Sequence, residues 1–348
     1  MARTSCWSSS DGSASSHAGS RNSTSESPDA RGGHLAQGRP VADELRIDCH
    51  LHLYETKAAG LREKETYEIW EYGPKQDVVF ARFGGDIEDA EAAMAEAGYA
   101  HAVIANLFAI ALLDEGLRSA AMHVQAERLR AFNRWACDVA ATRGQLSVFV
   151  AVDPTVLGGD PGAAHLREMV ERHGARGVKI HPVVQRFLPD DLRMHPIYQA
   201  CIDLDIPVLS HSGSDRDGAA YAEPVAFAGL LRRFPDLNLV LAHLGGGAWR
   251  QTAAFAEAFP QVSFDLCEIL AWAGAPNAPS AEELAKLILD VGPQRVMLGT
   301  DFPWYDLADT ANRVMDLPLL SSEQKSQMLG ANAARILRLP VTKRAEAR

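Results

Sequence analysis

Residues Ile47–Leu53 read "IDCHLHL", an apolar run that carries two histidines one residue apart. If this run is a β-strand, the alternation of side chains places His50 and His52 on one face and Cys49 and Leu51 on the other. Two imidazoles on one face of a rigid strand can converge on a metal ion. By itself the pair is weak evidence, because histidines at the end of a strand are often ordinary polar pairs.

The composition describes an acidic chain with enough apolar residues for a large core. Of its 348 residues 47% are hydrophobic, and the formal net charge is -11. This length holds one large domain or two ordinary ones. An acidic chain without a run of lysine or arginine is not expected to bind nucleic acid or an anionic membrane. Its apolar runs are all shorter than the roughly 18 residues that a membrane span needs.

The cysteines indicate the cellular compartment. They are five in number, widely spaced and without a CxxC pair: Cys6, Cys49, Cys137, Cys201 and Cys267. This usage is typical of a reduced protein and argues against a disulfide framework, so a cytoplasmic location is expected.

Residues 1–44 differ from the rest of the chain, because they are rich in serine and glycine and almost free of aliphatic residues. Such a segment buries too little surface to offset its ordering entropy, so we expect a disordered tail. It lacks the apolar core of a secretory signal. Its acidic residues Asp11, Glu26 and Asp29 argue against a transit peptide.

From residue 45 to about 340, short apolar runs alternate with longer amphipathic ones. The predicted strands are 45–51, 100–106, 146–152, 177–181, 206–211, 238–243, 262–266 and 295–300. The predicted helices are 86–97, 119–143, 161–174, 195–204, 224–234, 248–258, 280–290 and 306–316, with a last helix at 321–338. Eight strands alternating with eight helices predict an α/β fold, a (β/α)8 TIM barrel, with an open doubly wound sheet as the alternative.

Ligand-type residues fall at the ends of the predicted strands, where a barrel carries its chemistry. They are His50 and His52 on strand 1, Lys179 and His181 on strand 4, His211 on strand 5, His243 on strand 6 and Asp301 after strand 8. Three imidazoles and one carboxylate, from His50, His52, His211 and Asp301, would suit Zn²⁺ or a similar divalent ion, with Mn²⁺ as the alternative.

Several motifs carry a family resemblance. "IDCHLHL", "GVKIHP", "IPVLSHSG", "LVLAHLGGG", "VMLGTDFPW" and "LGANAARIL" resemble the amidohydrolase superfamily, and most of all its branch of aminocarboxymuconate-semialdehyde decarboxylase and related decarboxylases, hydratases and hydrolases. The resemblance covers about 45–340. It implies a metal-dependent barrel enzyme with a small-molecule substrate, and it suggests a homodimer. Asn332 in the last motif is expected to begin a helix that packs under the barrel.

The resemblance also implies roles for single residues. His50 and His52 match the metal ligands of the first strand, His211 that of the fifth and Asp301 that of the eighth. His243 matches a histidine that acts on water or substrate, so His243 and Asp301 are the predicted catalytic residues.

Lys179 leaves three alternatives open. With His181 it could hold a substrate carboxylate, which is the interpretation we favour. It could instead carry a carbamate that bridges two metal ions, or form a buried salt bridge within the barrel.

The segment 54–85 is a long insertion between strand 1 and its helix, and such loops line barrel mouths. We expect its aromatic and basic residues to contact substrate, with an oligomer contact or lid packing as the alternative. They are Tyr67, Trp70, Tyr72 and Arg82. Residues that follow strands 6, 7 and 8 could stack on a planar substrate or simply pack, namely Trp249, Arg250, Trp272 and Trp304.

Three function classes compete. The sequence favours a metal-dependent hydrolase that opens a C–N or C–O bond of a small carboxylated substrate such as an amide, lactone or cyclic imide. The alternative is a non-oxidative decarboxylase of an aromatic or unsaturated acid, which "AHLGGGAW" favours. A third class is a catalytically inactive binding barrel. It is disfavoured because a protein that only binds a ligand has no need of a metal ion with one coordination position left open for water.

Overall fold

The eight predicted strands are all present and form one parallel sheet. The computed structural model describes residues 44–72, 83–214 and 219–341. The strands are β1 Ile47–Leu51, β2 His101–Ala105, β3 Leu146–Ala151, β4 Gly177–Ile180, β5 Val208–Ser210, β6 Leu239–Leu241, β7 Ser263–Asp265 and β8 Val296–Met297. They pair in chain order from β1 to β8.

The sheet closes on itself between β8 and β1. The Cys49 N–H donates to the Leu298 carbonyl over 2.9 Å, and the His52 N–H donates to the Phe302 carbonyl over 2.7 Å. A doubly wound sheet would leave β1 inside an open sheet with a reversed strand order. The observed order and closure confirm the (β/α)8 barrel.

The helices follow the strands and form the outer layer. They are α1 Lys57–Tyr72, α2 Ile87–Ala97, α3 Glu115–Arg118, α4 Met122–Ala141, α5 Pro154–Leu157, α6 Gly159–His173, α7 Pro182–Gln185, α8 His195–Asp203, α9 Ala228–Arg233, α10 Thr252–Ala258, α11 Ile269–Trp272, α12 Ala281–Val291, α13 Leu307–Asp316, α14 Ser322–Ser326 and α15 Asn332–Ile336. Among the residues that the structure describes, no helix is long and apolar enough to cross a membrane.

The insertion after β1 differs from the expected loop, because most of its described part is the helix α1. Its sequence "KAAGLREKETYEIWEY" is rich in alanine, lysine, glutamate and leucine, which lose little side-chain freedom in a helix. The sequence prediction missed this helix because the length of the segment was interpreted as loop. Residues 73–82, with Arg82, lie outside the described residues, as do residues 1–43 of the predicted tail.

The interior of the barrel is packed by residues from most of the strands, including Ile47, Val103, Phe149, Leu209, Val240 and Met297. Cys49 belongs to this inner cluster, whereas Leu51 packs in the outer core between strands and helices. The expectation that Cys49 shares a face with Leu51 was therefore wrong. The pairing register of β1 with β2 shifts between Asp48 and Leu51, which breaks the strict alternation of side chains.

The closing helix seals the bottom of the barrel, as expected. α15 begins at Asn332, whose side-chain amide donates to the carbonyls of Pro293 and Val296 over 2.8 Å each. Ile336 and Leu337 then join the inner cluster. This arrangement leaves only the C-terminal ends of the strands free for chemistry.

Candidate active site

A cavity lies at the C-terminal end of the strands, where the sequence predicts the chemistry. Its lining comes from α1 and from the ends of seven strands and the segments that follow them: His50, His52, Tyr67, Leu107, Lys179, His181, His211, His243, Glu268, Asp301, Trp304 and Tyr305. Every ligand-type residue predicted from the strand ends therefore reaches one cavity.

His50, His52 and Asp301 form a close donor group. The Nε2 atoms of His50 and His52 lie 3.6 Å and 3.0 Å from Oδ1 of Asp301. Ligand atoms around a four-coordinate divalent ion are about 3.4 Å apart when the bonds are about 2.1 Å long. The spacing and the chemistry of these three donors therefore fit a divalent metal ion.

Asp301 is held in place by its own backbone. Its N–H donates to the His50 carbonyl over 2.8 Å, and its φ of 58° lies in the left-handed region. Burial by itself would raise the pKa of the Asp301 carboxyl. The charges and hydrogen bond of His50 and His52 outweigh that effect and hold the pKa well below its usual value. Asp301 is therefore an ionised carboxylate.

His211 lines the same cavity and contacts two other histidines. Its ring stacks on His181 with 3.8 Å between centroids, and its Nδ1 lies 3.0 Å from Nε2 of His243. In the described part of the chain, His211 belongs to none of the close groups of metal-type donors. Its role as the fourth ligand stays a prediction.

Asp265 and Cys267, at the end of β7, are the functional residues that the sequence prediction missed. Oδ2 of Asp265 lies 3.0 Å from Nδ1 of His50, and its Oδ1 accepts the His243 N–H over 2.8 Å. The Cys267 thiol donates to the same Oδ1 over 2.9 Å. A carboxylate on Nδ1 directs the Nε2 of a histidine toward a metal. A charged residue within the apolar run "VSFDL" was the available signal.

A second buried carboxylate, Asp48, ties β1 to the segment after β8. It accepts the N–H of His50 over 2.9 Å and the N–H of Thr300 over 3.0 Å, and it also accepts the Thr300 hydroxyl. Burial raises the pKa of Asp48 to about 7, although these hydrogen bonds lower it. The two segments that carry the donor group are thus joined directly beneath it.

Lys179 lies within the donor group, because its Nζ is 2.6 Å from Nε2 of His50. The side chain is 1% exposed. Burial lowers the pKa of Lys179, while the carboxylate of Asp301 opposes that effect. An ion on Nε2 of His50 would compete with this ammonium for the same nitrogen. All three alternatives for Lys179 therefore remain open.

His243 is aimed at the cavity by a tight glycine turn. It has a φ of 60°, and it begins the run of unusual backbone that includes Gly245 and Gly246. A Cβ on Gly246 would lie 2.8 Å from the Ser212 carbonyl oxygen, so the close backbone approach expected of "AHLGGG" is present. Burial lowers the pKa of His243. Its Nδ1 lies 3.4 Å from Oε2 of Glu268.

Aromatic side chains form one wall of the cavity. The Trp304 ring meets the His52 ring edge-on at 5.3 Å, and its indole Nε1–H is buried without a hydrogen-bond partner. The Tyr67 hydroxyl lies 3.1 Å from Nε2 of His181. Trp272 stands behind this wall and donates from Nε1 to the Tyr305 hydroxyl. Trp304 thus lines the same cavity as the donor group, and its contact with substrate stays a prediction.

Trp249 and Arg250, also expected near substrate, lie elsewhere. The Trp249 indole N–H donates to the Asn277 carbonyl, and the exposed Arg250 guanidinium stacks over the Trp249 ring at 4.4 Å. The turn after β6 directs both away from the cavity, so we withdraw them as substrate contacts. The side chains of Trp70 and Tyr72 lie outside the described residues.

Several solved structures are similar to this chain. One is 5-carboxyvanillate decarboxylase of Sphingomonas paucimobilis, with a TM-score of 0.59 at 16% identity over 85% of this chain and 99% of that chain. Another is a dihydroxybenzoic acid decarboxylase of a Polaromonas species with bound manganese and the inhibitor 2-nitroresorcinol, with a TM-score of 0.60 at 16% identity over 86% and 98%. A third is an uncharacterised TIM-barrel protein of Bordetella bronchiseptica, with a TM-score of 0.64 at 20% identity over 84% and 98%.

At these identities the similar structures establish the fold. No curated protein matches the chain. A family model described as amidohydrolase matches residues 47–339, which include the donor group, Lys179, His211 and His243. Because this match spans most of the chain and the whole of the barrel, the protein is a member of the amidohydrolase family.

Proposed function

We propose that this protein is a divalent-metal-dependent carboxy-lyase that removes CO2 from a small aromatic or unsaturated carboxylic acid. The observation that carries the proposal is the convergence of a metal-type donor group, the buried Lys179 side chain and an aromatic wall in one cavity. The decarboxylases among the similar structures support it.

Different residues of the cavity would bind the metal ion, the substrate carboxylate and the substrate ring. A divalent ion held by His50, His52 and Asp301, zinc or manganese, would supply Lewis acidity to a substrate oxygen. Lys179 is buried and lines the cavity, and in its protonated form it would attract the substrate carboxylate. Trp304 and Tyr67 flank a planar ring, and the unpartnered Trp304 N–H donates a hydrogen bond to a ring substituent.

His243 and Glu268 form the proton-transfer pair of the proposed reaction. Burial lowers the pKa of His243, so its imidazolium is a stronger acid than a free one, and in this protonated form His243 gives its proton to the ring carbon that bears the carboxylate. The carbon–carbon bond then breaks, its electron pair returns to the ring and CO2 leaves. Glu268, 3.4 Å from Nδ1, stabilises the imidazolium when His243 takes the next proton from water.

The hydrolase that the sequence favours is the second candidate. One observation supports it: the Asp301 carboxylate is ionised and lies 3.0 Å from Nε2 of His52, where it could take a proton from an attacking water. Both reactions would use the same donor group, so an assay with both classes of substrate distinguishes them.

The test is a paired assay of the purified protein supplied with Zn²⁺ or Mn²⁺. We expect CO2 release from a hydroxybenzoate or muconate in a panel of such acids, and a loss of at least about 100-fold in His243→Asn. Arg250→Gln, outside the cavity, should keep full activity. Turnover of lactones or cyclic imides without any CO2 release would replace the carboxy-lyase by the hydrolase.

We also propose a reducing location such as the cytoplasm. The four cysteines in the described part of the chain are free and buried thiols, which supports this. The homodimer suggested by the family resemblance stays a prediction.

A further inference from the structure

A second cavity lies beside the metal cavity. Leu107 lines both, and the Tyr54 ring of the second cavity packs at 6.5 Å from the Trp304 ring of the first. The remaining lining residues come from α1, the segment after β2 and α4: Glu55, Ala59, Glu63, Phe108, Ala109, Leu112, Leu113, Arg128 and Phe132. The catalytic chemistry uses none of these side chains.

Among the polar groups of this cavity, Arg128 and Glu55 are hydrogen-bonded to each other, whereas the Tyr54 hydroxyl has no partner. The Tyr54 hydroxyl is buried, with the residue 4% exposed, and it has no hydrogen-bond partner. Such a group costs free energy unless something binds to it. The half-buried Glu63 lies close enough to interact with Tyr54 electrostatically. At the mouth, Arg128 already donates two hydrogen bonds to Glu55, at 2.9 Å and 2.8 Å.

The charges define which ligand this cavity would accept. Glu55 neutralises Arg128, so among the described lining residues Glu63, once ionised, carries the remaining charge. The ionised Glu63 would repel an anion, and the described lining offers that anion no unpaired cation. An ammonium, in contrast, can donate both to Glu63 and to the oxygen of Tyr54. Apolar walls from Phe108, Leu112 and Phe132 would hold a hydrophobic body.

We propose that this cavity is a binding site for a primary amine with an aryl or alkyl body, separate from the metal cavity. The ammonium would lie between the Glu63 carboxylate and the Tyr54 hydroxyl. The body would pack against Phe108, Leu112 and Phe132. Since the Tyr54 ring contacts Trp304, an occupant would also restrain the aromatic wall of the catalytic cavity.

The pH dependence of binding follows from Glu63. Burial raises the pKa of Glu63 to about 8; of the charged groups that face it, Arg128 on α4 lowers this value and Glu55 raises it, while the Tyr54 hydroxyl is neutral. An ammonium needs the ionised carboxylate. Amine binding should therefore tighten as the pH rises toward and above the pKa of Glu63, and it should release protons below it.

The test is a calorimetric titration of the metal-loaded protein with three probes of similar shape: 2-phenylethylamine, 2-phenylethanol and phenylacetate. We expect the amine to bind about tenfold or more tightly than the alcohol at about pH 8.5, and phenylacetate not to bind in this cavity. Between about pH 6 and about pH 8.5 the amine should gain about tenfold or more in affinity. Titration in buffers of different ionisation enthalpy measures the released protons.

Variants locate the bound amine. Glu63→Gln should weaken amine binding about tenfold or more and abolish proton release, and Tyr54→Phe should weaken it by a smaller factor. Glu65→Gln, on the exposed face of the same helix, should bind as the unaltered protein does, and so should His50→Ala in the metal cavity. Unchanged binding in both Glu63→Gln and Tyr54→Phe, loss in His50→Ala, or no binding of the amine would overturn the proposal.

Discussion

At the level of single residues, Asp265 connects the donor group to His243. One of its oxygens faces Nδ1 of His50 and the other accepts the backbone N–H of His243. Asp265→Asn keeps the shape but removes the charge that orients His50. We predict that this variant binds Zn²⁺ or Mn²⁺ about 10- to 100-fold more weakly, as measured by competition with a chelating dye.

Asp290→Asn is the matched control for this prediction, because Asp290 lies on the exposed face of α12. It should bind metal as the unaltered protein does. Equal metal affinity in folded Asp265→Asn protein would show that the carboxylate does not orient His50.

At the level of elements, the C-terminal helices make a close contact with Leu45, two residues before β1. Gly330 lies between α14 and α15, where a Cβ would be 2.1 Å from the Leu45 carbonyl oxygen. We predict that Gly330→Ala lowers the free energy of unfolding by about 1–3 kcal/mol, because backbone must shift to make room. Urea denaturation of the purified variants measures this change.

Gly144→Ala serves as the control at this level, since a Cβ at Gly144 meets nothing within 4 Å. It should change the free energy of unfolding by no more than about 1 kcal/mol. A Gly330→Ala protein as stable as this control would mean that the backbone around Leu45 and Gly330 can shift at little cost in free energy.

The same contact lies at an irregular turn of the predicted last helix. The sequence predicted one helix over 321–338, and the chain is helical from Ser322 to Ile336, with a π-helical turn, Gln327–Ala331, between α14 and α15. Periodicity describes which side of a helix is apolar, but it does not record that Gly330 lies close to the backbone of Leu45.

At the level of the whole molecule, the proposed metal binding should be linked to folding, because the candidate donors come from the first strand and from the segment after the last. His50 and His52 belong to β1, and Asp301 follows β8. We predict that a metal ion at 100 times its dissociation constant stabilises the barrel by about 2.7 kcal/mol. Removal of the ion by a chelator should therefore lower the Tm in a thermal unfolding scan.

The His50→Ala protein provides the comparison, since it should show the same Tm with and without chelator. Elemental analysis should find about one ion per chain in the unaltered protein. Two ions per chain would support a carbamate on Lys179 as a bridge. A Tm that does not respond to the chelator in the unaltered protein would contradict the linkage.

The sequence by itself determined the barrel and most of its site. Eight apolar runs with helices between them leave few ways to bury both faces of a parallel sheet. Because strand ends meet at one rim, the positions of His50, His52, Lys179, His243 and Asp301 in the sequence were enough to predict that they share a cavity.

Only the tertiary structure decided how those residues are supported and which others join them. Asp265 was missed because its partners, His50 and His243, are 215 and 22 residues away. Trp249 and Arg250 were predicted to lie near substrate, but the left-handed turn after β6 directs both side chains away from the cavity. Spacing along a strand depends on local geometry, whereas orientation in the site depends on contacts between distant segments, which no local pattern records.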